Sequence, residues 1–416
     1  MKTKFFFALL IFFVFTIFSE TMAQTNKEEN TSDKLVIAWT SDDHYLAERV
    51  VLIEVNNRSI SQIFTDVASH PFHPLNGENS MTIDRDLKKD GIADLNDTDW
   101  KVRTLAVRDL VRAGKKQTGE IKNGLVHPSL YVRQVTAKAL GILKATNAIE
   151  ELENIVENDS IRLVCSQAVI ALGQMESRHS LDLLRDKQKN DPSRDIRHQC
   201  ELAVYQIENK MGVTNKNVNG WLNLDETTFE TVKEGEMAPD FILEDTNEKT
   251  WQLSSFRNKN WVVLIWVFAD WCPVCHGEFH DLMEMRDEFK NAGVQVFTLE
   301  MHDAFRGRVM VGNELEPEYW FAKESFKESY TKRIWWPHLL DRAGSYGAMF
   351  GADPMAFSVH AEYINRPTTA IIDPAGKVRF IYPGTFWGDR PTIEQTLEMI
   401  EKGDFSFEHP KRRKSD

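Results

Sequence analysis

Cysteine is the scarcest chemistry in this chain: 416 residues hold four, Cys165, Cys200, Cys272 and Cys275. So few thiols in so long a chain exclude a small disulfide-stapled scaffold. Long apolar runs are almost as scarce. Beyond a stretch from Phe5 to Phe18, even the most continuous run, Trp261 to Phe268, stops after eight residues, well short of the roughly 20 that a membrane-spanning helix needs. Basic side chains are in deficit, 50 Lys and Arg against 63 Asp and Glu, and the net charge of −13 excludes nucleic acid as a general partner. The one basic cluster, Lys411-Arg412-Arg413-Lys414, lies in the tail, residues 406–416, and reads as a solvated end.

At the other end, Lys2 and Lys4 precede the apolar stretch, and Thr21-Met22-Ala23 offers the small residues that a signal peptidase reads. Residues 1–23 are therefore expected to be a cleaved secretory signal, with the mature protein exported to a periplasmic or extracellular space and no span left after cleavage. No cysteine follows the cleavage site, so nothing supports a lipoprotein anchor. An exported location permits disulfides. Residues 24–95 form an N-terminal segment of undefined fold, with a polar lead-in and a short strand expected from Leu35 to Trp39. His70-Pro71-Phe72-His73 within it would need further ligands nearby in space to hold a metal and reads as a loop with two incidental histidines.

From residue 96 to 210 the chain repeats itself. Helix starts at Val102-Arg103-Thr104-Leu105, Val132-Arg133-Gln134-Val135, Val164-Cys165-Ser166-Gln167 and Ile196-Arg197-His198-Gln199 are 30, 32 and 32 residues apart. Two copies continue into Ala139-Leu140-Gly141 and Ala171-Leu172-Gly173, and a second amphipathic stretch follows each. A helix pair of this kind cannot bury its apolar face alone, so the copies must stack into a solenoid. The pattern resembles HEAT repeats of a short kind, which implies an all-α solenoid and a surface for a protein partner. Cys165 and Cys200 fall at different places in the repeat frame and are expected to be buried free thiols.

Residues 211–236 read as a linker. From 237 to 405 strands and helices alternate as in a layered α/β domain: a buried strand from Trp261 to Phe268, a helix from about Pro273, Gly293 as its stop, and a strand from Val294 to Leu299. Cys272-Pro273-Val274-Cys275 sits where the buried strand gives way to the helix. Unpaired amide N–H groups and the positive end of the helix dipole favour thiolate there. The apolar stripe of the helix would leave Cys272 at an exposed mouth as the attacking thiol and Cys275 behind it as the resolving one. A two-residue spacer lets the sulfurs cycle between dithiol and disulfide.

Ala238-Pro239-Asp240-Phe241, the run Phe268-Ala269-Asp270-Trp271-Cys272-Pro273-Val274-Cys275, and Arg366-Pro367-Thr368-Thr369 with Gly376-Lys377-Val378 resemble the TlpA/ResA and AhpC/TSA types of thioredoxin-like protein. The resemblance implies a thiol-disulfide oxidoreductase with protein disulfide or dithiol substrates, a redox donor or acceptor protein, and no cofactor beyond the cysteine pair. It also implies that Pro367 is cis and aligns an extended substrate, that Trp271 before Cys272 marks a disulfide exchanger, and that Arg366 stands where peroxiredoxins carry an arginine that acidifies their cysteine. Ala269 and Ile265 occupy the positions of the peroxiredoxin threonine and proline, which speaks against peroxide reduction.

Other chemistry is written in the same residues. Cys272-Pro273-Val274-Cys275-His276 is a c-type haem attachment sequence, and Cys272, Cys275, His276 and His280 are a candidate metal set. A redox-inactive binding scaffold is the reading from another class. Glu300 and His302, at a strand end, are candidates to move a proton to Cys275. Between His302 and Arg366 lies an insertion whose aromatics, Tyr319, Trp320, Phe321, Trp335, Trp336, Phe350 and Phe357, are expected to form a small core of their own.

Overall fold

Helices built on the repeated motif occupy the first half of the computed structural model, which describes residues 34–35, 55–56, 58–69, 99–314, 333–384 and 389–407. The chain forms two units, residues 1–58 and 59–416. Within the first, Lys34–Leu35 pairs antiparallel with Val55–Asn56. The signal sequence, the histidines at 70 and 73, the aromatics Tyr319, Trp320 and Phe321, and the basic cluster at 411–414 lie outside the described residues.

In the second unit, helix α1 (Ile60–Ser69) is followed by α2 (Asp99–Ala113), α3 (Leu130–Ile142), α4 (Ile149–Asn158), α5 (Arg162–Gln174), α6 (Leu181–Asn190) and α7 (Arg194–Glu208). The repeat-start helices α2, α3, α5 and α7 stack on one another in sequence. Val107, Leu110, Val135, Leu140, Val164, Leu172 and Ile207 form the buried spine of this stack. Cys165 and Cys200 are buried and free, as expected, and burial pushes the Cys165 thiol up to about 12. The stretch read as a linker carries its own helix α8 (Asn215–Leu222), opened by a capping box at Thr214 and Asn217, and buries Trp221, Leu224 and Phe229 in the solenoid core.

The repeated Leu-Gly pairs have a packing cause. A Cβ on Gly141 would lie 2.8 Å from the Ala171 Cα, and one on Gly173 would lie 3.0 Å from the Ala203 Cα. Each glycine is the point where the next repeat's helix backbone comes closest.

The α/β domain opens with strands β1 (Ile242–Glu244) and β2 (Thr250–Gln252), an antiparallel pair. Its main sheet uses β3 (Trp261–Trp266), β4 (Val294–Glu300), β5 (His338–Leu340), β8 (Thr368–Ile372) and β9 (Val378–Pro383), in the order β9-β8-β3-β4-β5. β3, β4 and β5 run parallel, while β8 is antiparallel to both β3 and β9. Helices α9 (Pro273–Glu284), α10 (Arg286–Asn291) and α12 (Ile393–Lys402) cover one face. Between β5 and β8 stands a small hairpin, β6 (Phe357–Val359) and β7 (Glu362–Ile364). A further helix, α11 (Ala304–Met310), follows β4.

The described aromatics of the insertion do not make a separate core. Trp336 and Phe357 join the layer under α9, Phe350 stacks beside Trp266 on the opposite face at 5.2 Å, and the Trp335 indole donates to Leu282 O at 2.7 Å. The sheet's own apolar faces are wide enough to take them up, which is why the expected independent core is absent.

Replacing Gly141 by Ala is expected to destabilise the protein by about 1–2 kcal/mol in urea unfolding, because overpacking against Ala171 outweighs the better helix propensity of alanine. Gly119, which has nothing within 4 Å of a built Cβ, is the control: Gly119→Ala is expected to be neutral or stabilising.

Candidate active site

The end of β3 and the start of α9 place two sulfurs among backbone donors. Cys272 is the N-cap residue of α9, with Pro273 at the first helical position where its missing N–H costs nothing. The Cys272 Sγ accepts from the Cys275 N–H at 3.4 Å, and the Cys275 Sγ accepts from the Phe268 N–H at 3.3 Å. Both thiols are completely buried. This corrects the expectation of an exposed mouth at Cys272. Phe268, Trp271, Phe357, Val359 and Ile364 share one apolar cluster with the pair, and the β6–β7 hairpin packs on the residues that flank the expected mouth, Phe357 on Phe268 and His360 on Trp271.

Burial acts on both thiols, and their environments divide them. Cys272 is pushed well above the ordinary thiol range, first by loss of water and then by its neighbour's sulfur. Cys275 is held below that range although burial opposes it, because the Cys272 thiol donates to it and the Arg390 guanidinium stands near. The pair thus shares one negative charge most easily.

Sequence reasoning missed the charged groups closest to this chemistry. Arg390 Nη1 donates to Trp266 O at 2.8 Å, and its Nη2 is paired with Glu278, one turn along α9 from Cys275. Arg390 favours the thiolates and Glu278 disfavours them. The three-residue spacing from Cys275 to Glu278 was a usable signal, since it puts both on one helix face. Arg390, beyond β9, carried none.

The expected site residues are distributed differently. Trp271 is buried, its indole N–H donates to Glu362, and its ring meets the His360 ring edge-on at 4.6 Å. Arg366 is buried in an ion pair with Asp353, Nε to Oδ2 at 3.0 Å, and its Nη1 donates to Gly384 O at 3.2 Å. Those bonds spend its guanidinium on the loop, so Arg390 is the cation that acts on the thiols. The Arg366–Pro367 bond is trans, against expectation. Trans is favoured by about 0.5–1 kcal/mol even before proline, and this turn is held by the Arg366 N–H on Asp353 O at 3.0 Å and the Gly384 N–H on Pro367 O at 2.7 Å.

Glu300 and His302 bond to each other and join the buried set formed by Arg306, Asp270 and Glu362. Arg306 donates to Asp270 at 2.8 Å and to both Glu362 oxygens at 3.0 Å. Against the upward push of burial, Arg306 and then His302 hold Glu362 down to about 2. The carboxylate near the thiols is therefore Glu278, and Glu300 belongs to this second network.

The histidine of the haem-like sequence is turned inward. His276 Nε2, the atom an axial bond would use, lies 2.6 Å from Asp270 O, and burial pulls the imidazole down to about 4. Among the described residues no group of three or more His, Cys, Asp or Glu is arranged to hold a metal.

Residues 235–381 match the AhpC/TSA family, and residues 120–204 match HEAT repeats. The chain carries an AhpC/TSA redoxin domain of thioredoxin-like fold behind a helical region with HEAT repeats. Among curated proteins, it is 27% identical over 177 residues to thiol-disulfide oxidoreductase ResA of Bacillus subtilis, covering 42% of this chain and 81% of that protein. It is 25% identical over 175 residues to the chloroplastic peroxiredoxin Q of Populus jackii, covering 42% of this chain and 71% of the relative. A solved structure, the reduced 2-Cys peroxiredoxin of Plasmodium vivax, is similar at 16% identity with a TM-score of 0.33, over 41% of this chain and 80% of that one. The sequence relatives support a redoxin function.

Two outcomes follow from the electrostatics. Glu278→Gln removes the negative charge that opposes both thiolates, so the ultraviolet thiolate titration of the reduced protein is expected to move to lower pH; no move, or an upward one, would show that Glu278 does not act on the pair. His276 and His338 are both pulled by burial from 6.5 to about 4. Between those values the unfolded chain binds protons that the folded chain refuses, so stability falls as pH drops through that window, by up to roughly 3 kcal/mol for each histidine. Thermal unfolding from pH 7 to pH 4 checks this, and His338→Gln is expected to flatten the curve.

Proposed function

We propose that this protein is an exported thiol-disulfide oxidoreductase that exchanges disulfides with protein substrates through Cys272 and Cys275. The observation that carries the reading is the sulfur pair itself: two thiols one helical turn apart at the start of α9, Cys272 accepting from the Cys275 N–H and Cys275 from the Phe268 N–H beyond β3. Similarity to ResA proteins supports it, as does the Trp271-Cys272 sequence.

In the reducing direction the proton that the pair shares passes to Cys275, and the Cys272 thiolate attacks one sulfur of a substrate disulfide, forms a mixed disulfide and expels the other substrate sulfur, which takes up the Cys275 proton. The Cys275 thiolate then attacks Cys272, releases the second substrate thiolate and closes the Cys272–Cys275 disulfide. Two electrons pass to the substrate, and oxidation is the same path reversed. Cys275, the thiol held low by its surroundings, is ready for the resolving step. No cofactor beyond the cysteine pair enters. A donor or acceptor protein resets the pair, and the HEAT solenoid supplies surface on which such a partner docks. The basic and apolar start of the chain, Lys2 to Phe18, supports export to a periplasmic or extracellular space. The substrate-aligning role of Pro367 belongs to the same reading.

Peroxide reduction is the second reading, supported by the similarity to peroxiredoxin Q and by the guanidinium of Arg390 near the sulfurs. Ala269 and Ile265, in place of the threonine and proline of peroxiredoxins, weigh against it.

Redox titration of the protein in graded dithiol buffers, read by alkylation and intact mass, is expected to show one reversible two-electron transition confined to Cys272 and Cys275. Cys275→Ser is expected to accumulate mixed disulfides with protein substrates, and Cys272→Ser to lose turnover. A pair that never titrates sinks the exchanger and leaves a binding scaffold; oxidation by hydrogen peroxide far faster than by a protein disulfide moves the assignment to peroxidase.

A further inference from the structure

The hairpin beside Cys272, packed on Phe268 and Trp271, is held from two sides. On the inner side Phe357 packs on Phe268 at 5.9 Å, His360 sits on the Trp271 ring, and Glu362 accepts from the Trp271 indole. On the outer side the grip comes from the solenoid. Arg103 of α2 donates to Met355 O at 3.0 and 3.1 Å and to Ala356 O at 3.4 Å, and its guanidinium lies over the Tyr363 ring at 5.1 Å. Thr104 donates to Pro354 O at 3.0 Å, and Asp195 of α7 pairs with His360 at 3.0 Å. Met355 and Tyr363 are built into the solenoid's hydrophobic core.

Resting on the proposed exchange reaction, we propose that the solenoid is a clamp that holds the hairpin closed over Cys272, and that a protein disulfide reaches the sulfur only when the hairpin is released. A completely buried thiol offers no line of attack to a disulfide on another protein. The hairpin is the piece suited to move. Its strands are three residues each, and His360 and Ala361 at its tip, like Met355 at its base, hold positive φ of 49°, 58° and 56° without being glycine. Beside it, the contact between solenoid and redox domain is incompletely filled. A cavity of about 60 Å³ lies there, and the buried Gln167 and Gln199 amides, 32 residues apart in the repeat frame, each leave an Nε2 with no partner among the described residues.

The test uses the two core thiols as internal controls. In the reduced full-length protein, iodoacetamide labelling resolved by site is expected to modify Cys272 at least about tenfold faster than Cys165 and Cys200, because their release requires the solenoid core itself to open. Arg103→Met and, separately, Asp195→Asn are expected to raise the Cys272 rate by about tenfold or more while Cys165 and Cys200 keep their rates. A Cys272 rate unchanged in both variants overturns the clamp, as does a wild-type Cys272 rate equal to those of Cys165 and Cys200. If Arg103→Met releases all four thiols together, Asp195→Asn, which alters a single side-chain contact, decides by the same criterion. Labelling reads access and not turnover, so its failure would leave disulfide exchange standing, whereas a pair that does not titrate would end the exchange reading and leave the clamp.

Discussion

A sulfur pair placed inside an apolar layer must find its charge stabilisation within the protein. Water supplies none at Cys272 and Cys275, which are fully buried. What replaces it is the geometry of one junction: β3 ends, the chain turns through Ala269-Asp270-Trp271, and α9 begins at Cys272 with the Cys275 amide aimed at its sulfur. That junction needs the Phe268 N–H to be left unpaired by the sheet, and β3 stops two residues before it. Arg390 and Glu278 are then set against each other beside the pair, one lowering and one raising the cost of a thiolate. A lone buried cation or carboxylate there would be expensive, and their pairing makes both tolerable.

A second buried constellation ties the junction to its surroundings. Asp270 and Trp271, the two residues before Cys272, bond to Arg306 and Glu362 respectively, and Arg306 bonds Glu362 as well. Three separate segments, the β3–α9 turn, α11 and β7, therefore meet at one guanidinium. Such a network is a weak source of net stability, because desolvation consumes most of its Coulomb energy. Its worth is positional: with Asp270, Arg306 and Glu362 bonded to one another, the turn carrying Cys272 and the hairpin beside it are held in one arrangement.

Local pattern carried the architecture. The spacing of the repeat starts put α2, α3, α5 and α7 in the sequence because a stacked helix pair imposes its period on every copy, and Gly141 and Gly173 recur because each marks a backbone approach. The eight-residue run ending at Phe268 and the Cys-Pro-Val-Cys that follows likewise marked a buried strand feeding a helix. Illegible were the contacts between distant segments, since Arg103 meets Met355 across 252 positions and Arg390 meets Glu278 across 112. No period links such residues. Arg366 misled for the same reason: its place before Pro367 and Thr368 was readable, while its partner Asp353, 13 residues earlier in an insertion, was not. The inserted hairpin also accounts for the exposure error at Cys272, since the helix stripe showed which side of α9 faces the sheet and said nothing of what lies over its N-terminus.

Fusion of the solenoid to the redox domain changes the meaning of both. A free helical-repeat protein gripping the same hairpin would have to hold it at its own concentration, whereas a tethered one competes at a high effective concentration fixed by the chain between them. That chain is short and anchored, because α8 packs Trp221 into the solenoid core while Glu230 and Val232 donate their N–H groups to Ala348 O and Met349 O of the redox domain. The grip on residues 354–363 is therefore intramolecular by default. Any molecule that engages Arg103 or Asp195 would have to displace the hairpin to do so, and the burial of Cys272 would be lost in the same event. The solenoid and the active site share one element, which couples occupation of one to access at the other without requiring the sheet or α9 to change shape.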